Sequence, residues 1–242
     1  MRKKTLAAVL TGAFAFSMVG VAHAQISNTT FDLSQFSVSP TKSGTSKNPK
    51  PVTLKLGVKG GTKDGTGQPS TSTALKITLP KGLKWNGKAW ASSKRCSVSK
   101  ATQQKTDSVC PKGSKVGSGH VDAVALGTKE PIDVTAYVTT SGNLGLFLKA
   151  DVPLSIRVML EGKVKGNVIT VAIPPQIQEP LPNVPSAIET LNFGLTGKTK
   201  VKGKTRGVVE STTCSGGKWN LKFQNVYTDG SLTDSRSVSC KK

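Results

Sequence analysis

Apolar and polar residues alternate with a period of two through much of this chain. Val52-Thr53-Leu54-Lys55-Leu56-Gly57-Val58-Lys59 and Leu75-Lys76-Ile77-Thr78-Leu79 show the pattern most cleanly. A strand sends successive side chains to opposite faces, so such runs predict half-buried β-strands. Residues 132–140, 156–165 and 168–173 are rich in β-branched residues and extend the pattern. Gly60-Gly61, Pro80-Lys81-Gly82, Ser141-Gly142-Asn143, Gly166-Asn167 and Pro174-Pro175 punctuate these runs as turns. No long amphipathic helix is apparent. The chain reads as all-β, with about ten to twelve strands at typical strand and loop lengths. The expected architecture is an antiparallel β-sandwich, immunoglobulin-like or jelly-roll-like.

Two hairpins can be placed. Residues 156–165 and 168–173 meet at Gly166-Asn167, and residues 219–228 and 232–240 meet around Asp229-Gly230. Three stretches break the pattern. Residues 40–51 and 60–72 are rich in Ser, Thr, Gly and Lys. Residues 174–185 hold five prolines, which forbids a central strand and favours an extended crossover. That crossover is a possible subdivision point, but the 57 residues after it are few for an independent sandwich. One domain over residues 25–242 is the expectation.

The N-terminus differs from the rest. Arg2, Lys3 and Lys4 precede an uncharged, mostly apolar run from Leu6 to Val21, which ends in Ala22-His23-Ala24. This is the pattern of a secretory signal peptide over residues 1–24. The apolar run is short for a membrane span, and a polar segment follows at once. The expectation is a secreted or extracellular protein, with any attachment to a bacterial cell surface non-covalent. No Leu-Pro-x-Thr-Gly sorting motif and no C-terminal hydrophobic tail occur.

Four cysteines, Cys96, Cys110, Cys214 and Cys240, allow three pairings into two disulfides. The nearest-neighbour pairing, Cys96–Cys110 and Cys214–Cys240, is the expected one, each bond contributing ~3 to 3.5 kcal/mol on a chain-entropy account. It carries a condition. If residues 208–213 lay beside the 219–240 hairpin in a flat meander, Cys214 and Cys240 would stand two strand spacings apart, ~9.5 Å, beyond disulfide reach. Either that strand leaves the sheet or the Ser215-Gly216-Gly217 turn folds over. A zinc site is disfavoured, because no C-x-x-C pair occurs and His120 is the sole histidine after residue 24.

Charge narrows the partners. The chain has 34 Lys and Arg against 13 Asp and Glu. Without the three basic residues of the leader the counts are 31 and 13, a net charge of +18. Such a surface favours an anionic polymer: a wall polymer, an acidic polysaccharide or nucleic acid. It equally serves solubility and guards sheet edges. The sharpest candidate is Lys198, Lys200, Lys202, Lys204 and Arg206, five basic residues at strict i, i+2 spacing. In one extended strand they would share a face and span about 26 Å. Gly197 and Gly203 offer the alternative of a hairpin that splays them. Trp85 and Trp90 lie amid lysines and are candidates for stacking on sugars or bases. Anchoring of a long loop to the core is the competing role.

Catalytic patterns are weak. His120 and Asp122 share a strand face, yet no G-x-S-x-G occurs, and Gly117-Ser118-Gly119 falls one residue short. The carboxylates are scattered, so no pair for glycoside cleavage is singled out. No phosphate loop, dinucleotide fingerprint or calcium loop is present, and no cofactor or metal is implied. An extracellular hydrolase using His120 is the minor alternative. A structural or protein-interaction module is the main one.

Leu79-Pro80-Lys81-Gly82-Leu83, Cys96, Cys110-Pro111 and Ser114-Lys115-Val116-Gly117-Ser118-Gly119 form a pattern. Together with Thr213-Cys214, Trp219, Tyr227-Thr228-Asp229-Gly230 and Cys240, they resemble uncharacterised secreted two-disulfide β-rich proteins of high-GC Gram-positive bacteria. The resemblance touches both cysteine pairs. It implies nearest-neighbour disulfides and one domain, and it carries no catalytic residues. The combined expectation is a secreted, non-enzymatic protein that associates with anionic envelope or extracellular polymers through basic strands and loops.

Overall fold

The computed structural model of the chain describes residues 26–125 and 127–242. The expected leader over residues 1–24 lies outside them. Fifteen strands and two short helices follow in chain order: β1 (Thr29–Ser39), β2 (Lys50–Thr62), β3 (Ser72–Thr78), β4 (Leu83–Trp85), α1 (Val98–Gln104), β5 (Lys115–Ala125), β6 (Thr128–Val138), β7 (Leu144–Ala150), β8 (Ile156–Lys165), β9 (Val168–Ala172), α2 (Pro175–Gln178), β10 (Ser186–Leu195), β11 (Lys198–Val201), β12 (Lys204–Gly207), β13 (Val209–Ser211), β14 (Lys218–Tyr227) and β15 (Gly230–Ser239). The chain is all-β, and its ladders are antiparallel, as the alternation predicts.

Thirteen strands form one sheet in the order β15-β14-β3-β9-β8-β7-β6-β5-β10-β2-β13-β4, with β1 also on β2. The sheet folds over itself. Strand β3 contacts β10 across the interior, and β1 lies against β15. The Leu33 amide, left out of the β1–β2 ladder at a bulge between Asp32 and Gln35, donates to Asp234 Oδ2 on β15 at 2.8 Å. The two layers of the expected sandwich are thus parts of one continuous sheet. Strands from beyond residue 185 join earlier ones: β10 lies between β5 and β2, and β14 pairs with β3.

The alternation builds the core. On β14, Trp219, Leu221, Phe223 and Tyr227 are buried while Lys218, Asn220 and Lys222 face water. Val52, Leu54, Leu56 and Val58 do the same on β2. Strand β7 and the adjoining parts of β6 (136–138) and β8 (159–160) are buried on both faces, which explains the nearly unbroken apolar run of β7. Their outer face carries a second cluster of Tyr137, Phe147 and Met159 under Cys96, Ala101 and Cys110. The excursion holding α1 and the first disulfide therefore acts as a cover. Helix α1 starts where the Ser97 hydroxyl accepts from the Lys100 amide.

Both disulfides pair nearest neighbours, Cys96–Cys110 and Cys214–Cys240. The geometric condition on the second is met in both ways. Strand β13 leaves the hairpin and pairs with β2 and β4 instead. The Ser215–Gly217 turn folds back, so that the Cys240 amide donates to the Gly217 carbonyl at 2.9 Å.

Candidate functional site

The main feature of the interior is a cavity. It has a volume of about 100 Å³ and is partly open to solvent. Inward side chains of both layers line it: Leu144, Leu146 and Leu148 from β7, Val121, Ala123 and Ala125 from β5, Leu75 and Ile77 from β3, Leu191 and Phe193 from β10. Of 25 lining residues only Ser72, Glu130 and Ser186 are not apolar. An ordered water needs two to four polar partners. Most of this wall offers none, so the space suits aliphatic matter better than solvent.

The three polar residues share one end of the sheet. Ser72 opens β3, Ser186 opens β10 and Glu130 stands near the start of β6. Antiparallel pairing along β3-β9-β8-β7-β6 brings the starts of β3 and β6 to the same edge, with the segment from β9 to β10 spanning it. That segment contains the proline-rich crossover. Its α2 contributes Ile177, and Pro180 follows in the lining. The Gln178 side-chain amide donates to the Ile173 carbonyl at 2.6 Å, and the Ser186 hydroxyl donates to the Ile177 carbonyl. The two large hydrophobic residues most exposed among the described residues, Val152 at 73% and Leu181 at 43%, belong to loops at this same end.

Glu130 and Ser72 are each 3% exposed. Glu130 Oε2 accepts from the Leu154 amide at 2.9 Å, whereas Oε1 has no hydrogen-bond partner, and neither has Ser72 Oγ. Buried polar atoms are nearly always paired, so two orphans on one cavity wall are informative. Sequence reading missed all of this. Glu130 precedes Pro131 in a stretch that reads as a polar strand end, and its only sign is an acid beside an apolar run.

The basic ladder takes a different form from the straight strand. Residues 198–207 fold into the β11–β12 hairpin, with Lys198 opposite Gly207 and Val201 opposite Lys204. Lys202 and Gly203 form the turn, with φ of 48° and 77°. Opposed residues share a face, so Lys198 and Lys200 lie on one side, Lys204 and Arg206 on the other, and Lys202 at the tip. The four lysines are exposed. Arg206 is withdrawn from any row: its Nε and Nη2 donate to Glu210 Oε1 and Oε2 at 2.6 and 2.8 Å. Glu210 is fully buried and also accepts from the Gly207 amide. This pair holds Arg206 high and anchors the hairpin base.

The tryptophans take the anchoring role. Trp90 is 1% exposed and donates through Nε1 to the Gly113 carbonyl at 2.9 Å, so it has no face to offer a sugar or base. Trp85 is half-buried against the core, with its Nε1 on the Gly142 carbonyl at 2.7 Å. His120 sits between two carboxylates. Its Nδ1 lies 3.2 Å from Asp133 Oδ1 and its Nε2 3.2 Å from Asp122 Oδ1. The Thr190 hydroxyl donates to Asp122 Oδ2 at 2.6 Å and, ahead of His120, holds that carboxyl below its ordinary range. His120 thus bridges a carboxylate of its own strand and one of β6 on a partly exposed strand surface. No group of three or more His, Cys, Asp or Glu fit for a metal occurs among the described residues. Nor, among those residues, is any helix long and apolar enough to cross a membrane.

No protein family matches the sequence, and no curated protein matches it either.

Proposed function

We propose that this is a non-enzymatic binding protein that takes up an apolar small molecule between the layers of its folded sheet. The carrying observation is the cavity, whose wall is apolar except for three residues grouped at one end. Ligand sites are typically concave, mostly apolar and marked by a few polar groups, as here. Two disulfides and the expected leader suit a life outside the cytoplasm. The test is titration with an aliphatic fluorescent probe whose emission rises on leaving water. Saturable binding, weakened when Ala123→Leu fills the cavity, is the expected result. A probe that binds the variant equally well is not in the cavity.

A second reading concerns the surface. Lys198, Lys200, Lys202 and Lys204 crowd one exposed hairpin on a strongly basic chain. This supports association with an anionic envelope polymer by charge, with contact through both hairpin faces and the tip. Changing these four to Gln leaves the Arg206–Glu210 pair intact. Binding to an anionic polymer should then lose much of its salt dependence. Equal binding by the variant places the charge effect elsewhere.

A further inference from the structure

We infer that the cavity selects an aliphatic chain ending in a hydrogen-bond donor, a hydroxyl or an ammonium, which Glu130 Oε1 and Ser72 Oγ receive at the α2 end. This rests on the interior-binding reading above and adds the chemistry of the ligand's polar end.

The argument starts from what the two side chains lack. Glu130 uses one oxygen on the Leu154 amide, and the other is buried without a partner, in a residue whose neighbours in the cavity wall are mostly leucines and isoleucines. Among the described residues no Lys or Arg forms an ion pair with it. A buried acceptor without a donor is a standing cost, which a ligand donor removes. Ser186, the third polar residue of the wall, already donates to Ile177 and is not available in the same way. Ser72 Oγ has no partner and can give or accept, so it too can meet a ligand hydroxyl at this end of the cavity.

Orientation follows from the placement. The polar residues of the wall stand together at the α2 end of the cavity, so the head lies there and the chain runs away from it along the β7 leucines. A fatty carboxylate is disfavoured, because it would set a second acceptor against Glu130 Oε1. This runs against the protein's net charge of +21, which by itself would favour the carboxylate. Head-group preference therefore separates the cavity from general electrostatics.

The experiment measures competition by decane, decanol, decylamine and decanoate against a bound aliphatic probe. Decanol and decylamine should outcompete decanoate by on the order of tenfold. The decisive variant is Glu130→Gln. The Leu154 amide still needs an acceptor, so the amide oxygen stays there and the NH2 turns into the cavity. The free group becomes a donor, and the preference should invert toward decanoate. Ser72→Ala should weaken decanol and leave decane unchanged. If decane, decanol and decanoate compete alike, the head-group inference falls while interior binding stands. If none competes and no probe binds, both fall. If Glu130→Gln remains folded by circular dichroism and keeps the original preference, Glu130 is not the receiving group.

Discussion

Ala123→Leu asks whether the interior is a void or a close-packed core, and the sign of the answer decides. Ala123 is 7% exposed, lines the cavity and stands in register with Glu130 on β6 and Ile188 on β10, both also in its wall. The change adds three carbons. At ~0.8 kcal/mol per buried methylene the gain is about 2.4 kcal/mol. Ordering the new side chain returns ~0.5 to 1 kcal/mol of this, leaving a net gain of about 1.5. The figure is consistent with the penalty of the space itself, ~2.4 kcal/mol for 100 Å³ at the usual cost per unit of cavity volume. For a chain of this size the melting temperature should rise by about 3 to 6 °C. Thermal and urea melts of the disulfide-intact protein measure it directly. In a core without spare room the same substitution overpacks and costs ~1 to 3 kcal/mol. A lower melting temperature would therefore refute the cavity, and with it the proposed binding.

Three further outcomes are expected. Arg206→Gln should destabilise by about 3 kcal/mol in urea unfolding, because Glu210 is left buried without its strongest partner; Lys204→Gln beside it should change stability by less than ~0.5 kcal/mol. The chain's two tyrosines, Tyr137 and Tyr227, are both buried, and burial drives both upward, Tyr227 to about 12. Folded protein should then show almost no tyrosinate absorbance near pH 10; the stability tied to Tyr227 is complete below its ordinary value of 10.0 and is lost as pH rises through 12. Thr190→Val should raise the Asp122 pKa toward its ordinary 3.8, visible by NMR titration, since the Thr190 hydroxyl is the main cause of its depression.

The sequence carried the fold where local rules dominate. Gly166-Asn167 fixed the β8–β9 turn, with Gly166 at φ 60°, and strict alternation marked β14. A distance argument about Cys214 and Cys240 requires either that β13 leave the hairpin beside it or that the glycine turn fold over, and both occur. Alternation cannot tell one strand from two, so it leaves the straight and the hairpin forms of the ladder both open. A Lys-Gly turn, with Lys202 in the left-handed region, bears a weaker mark than Asn-Gly. Arg206 and Glu210 lie four apart in a segment that is not a helix, so spacing gave no hint of their pairing. The cavity had no local sign at all. Leu56, Leu75, Val121, Leu146 and Phe223 come from strands scattered over the chain, and each reads as ordinary core. A void is a shortfall of volume that appears only when all the strands are in place.

The interleaving of late strands among early ones sets the order of assembly. β2 ends at Thr62, and its partner β10 begins only at Ser186. β3 waits still longer for β14, which begins at Lys218. A chain that emerges N-terminus first leaves the β2 edge unpaired by β10 until Ser186 and the residues after it have followed. The meander from β5 to β9 can form early from neighbours in sequence, whereas closure must await the last strands. Long-range pairing of this kind makes folding slow and exposes open edges meanwhile. Lysines such as Lys55 and Lys59 on β2, and Lys76 on β3, repel another chain's strand during that wait. Part of the basic charge thus has its use before the protein is finished.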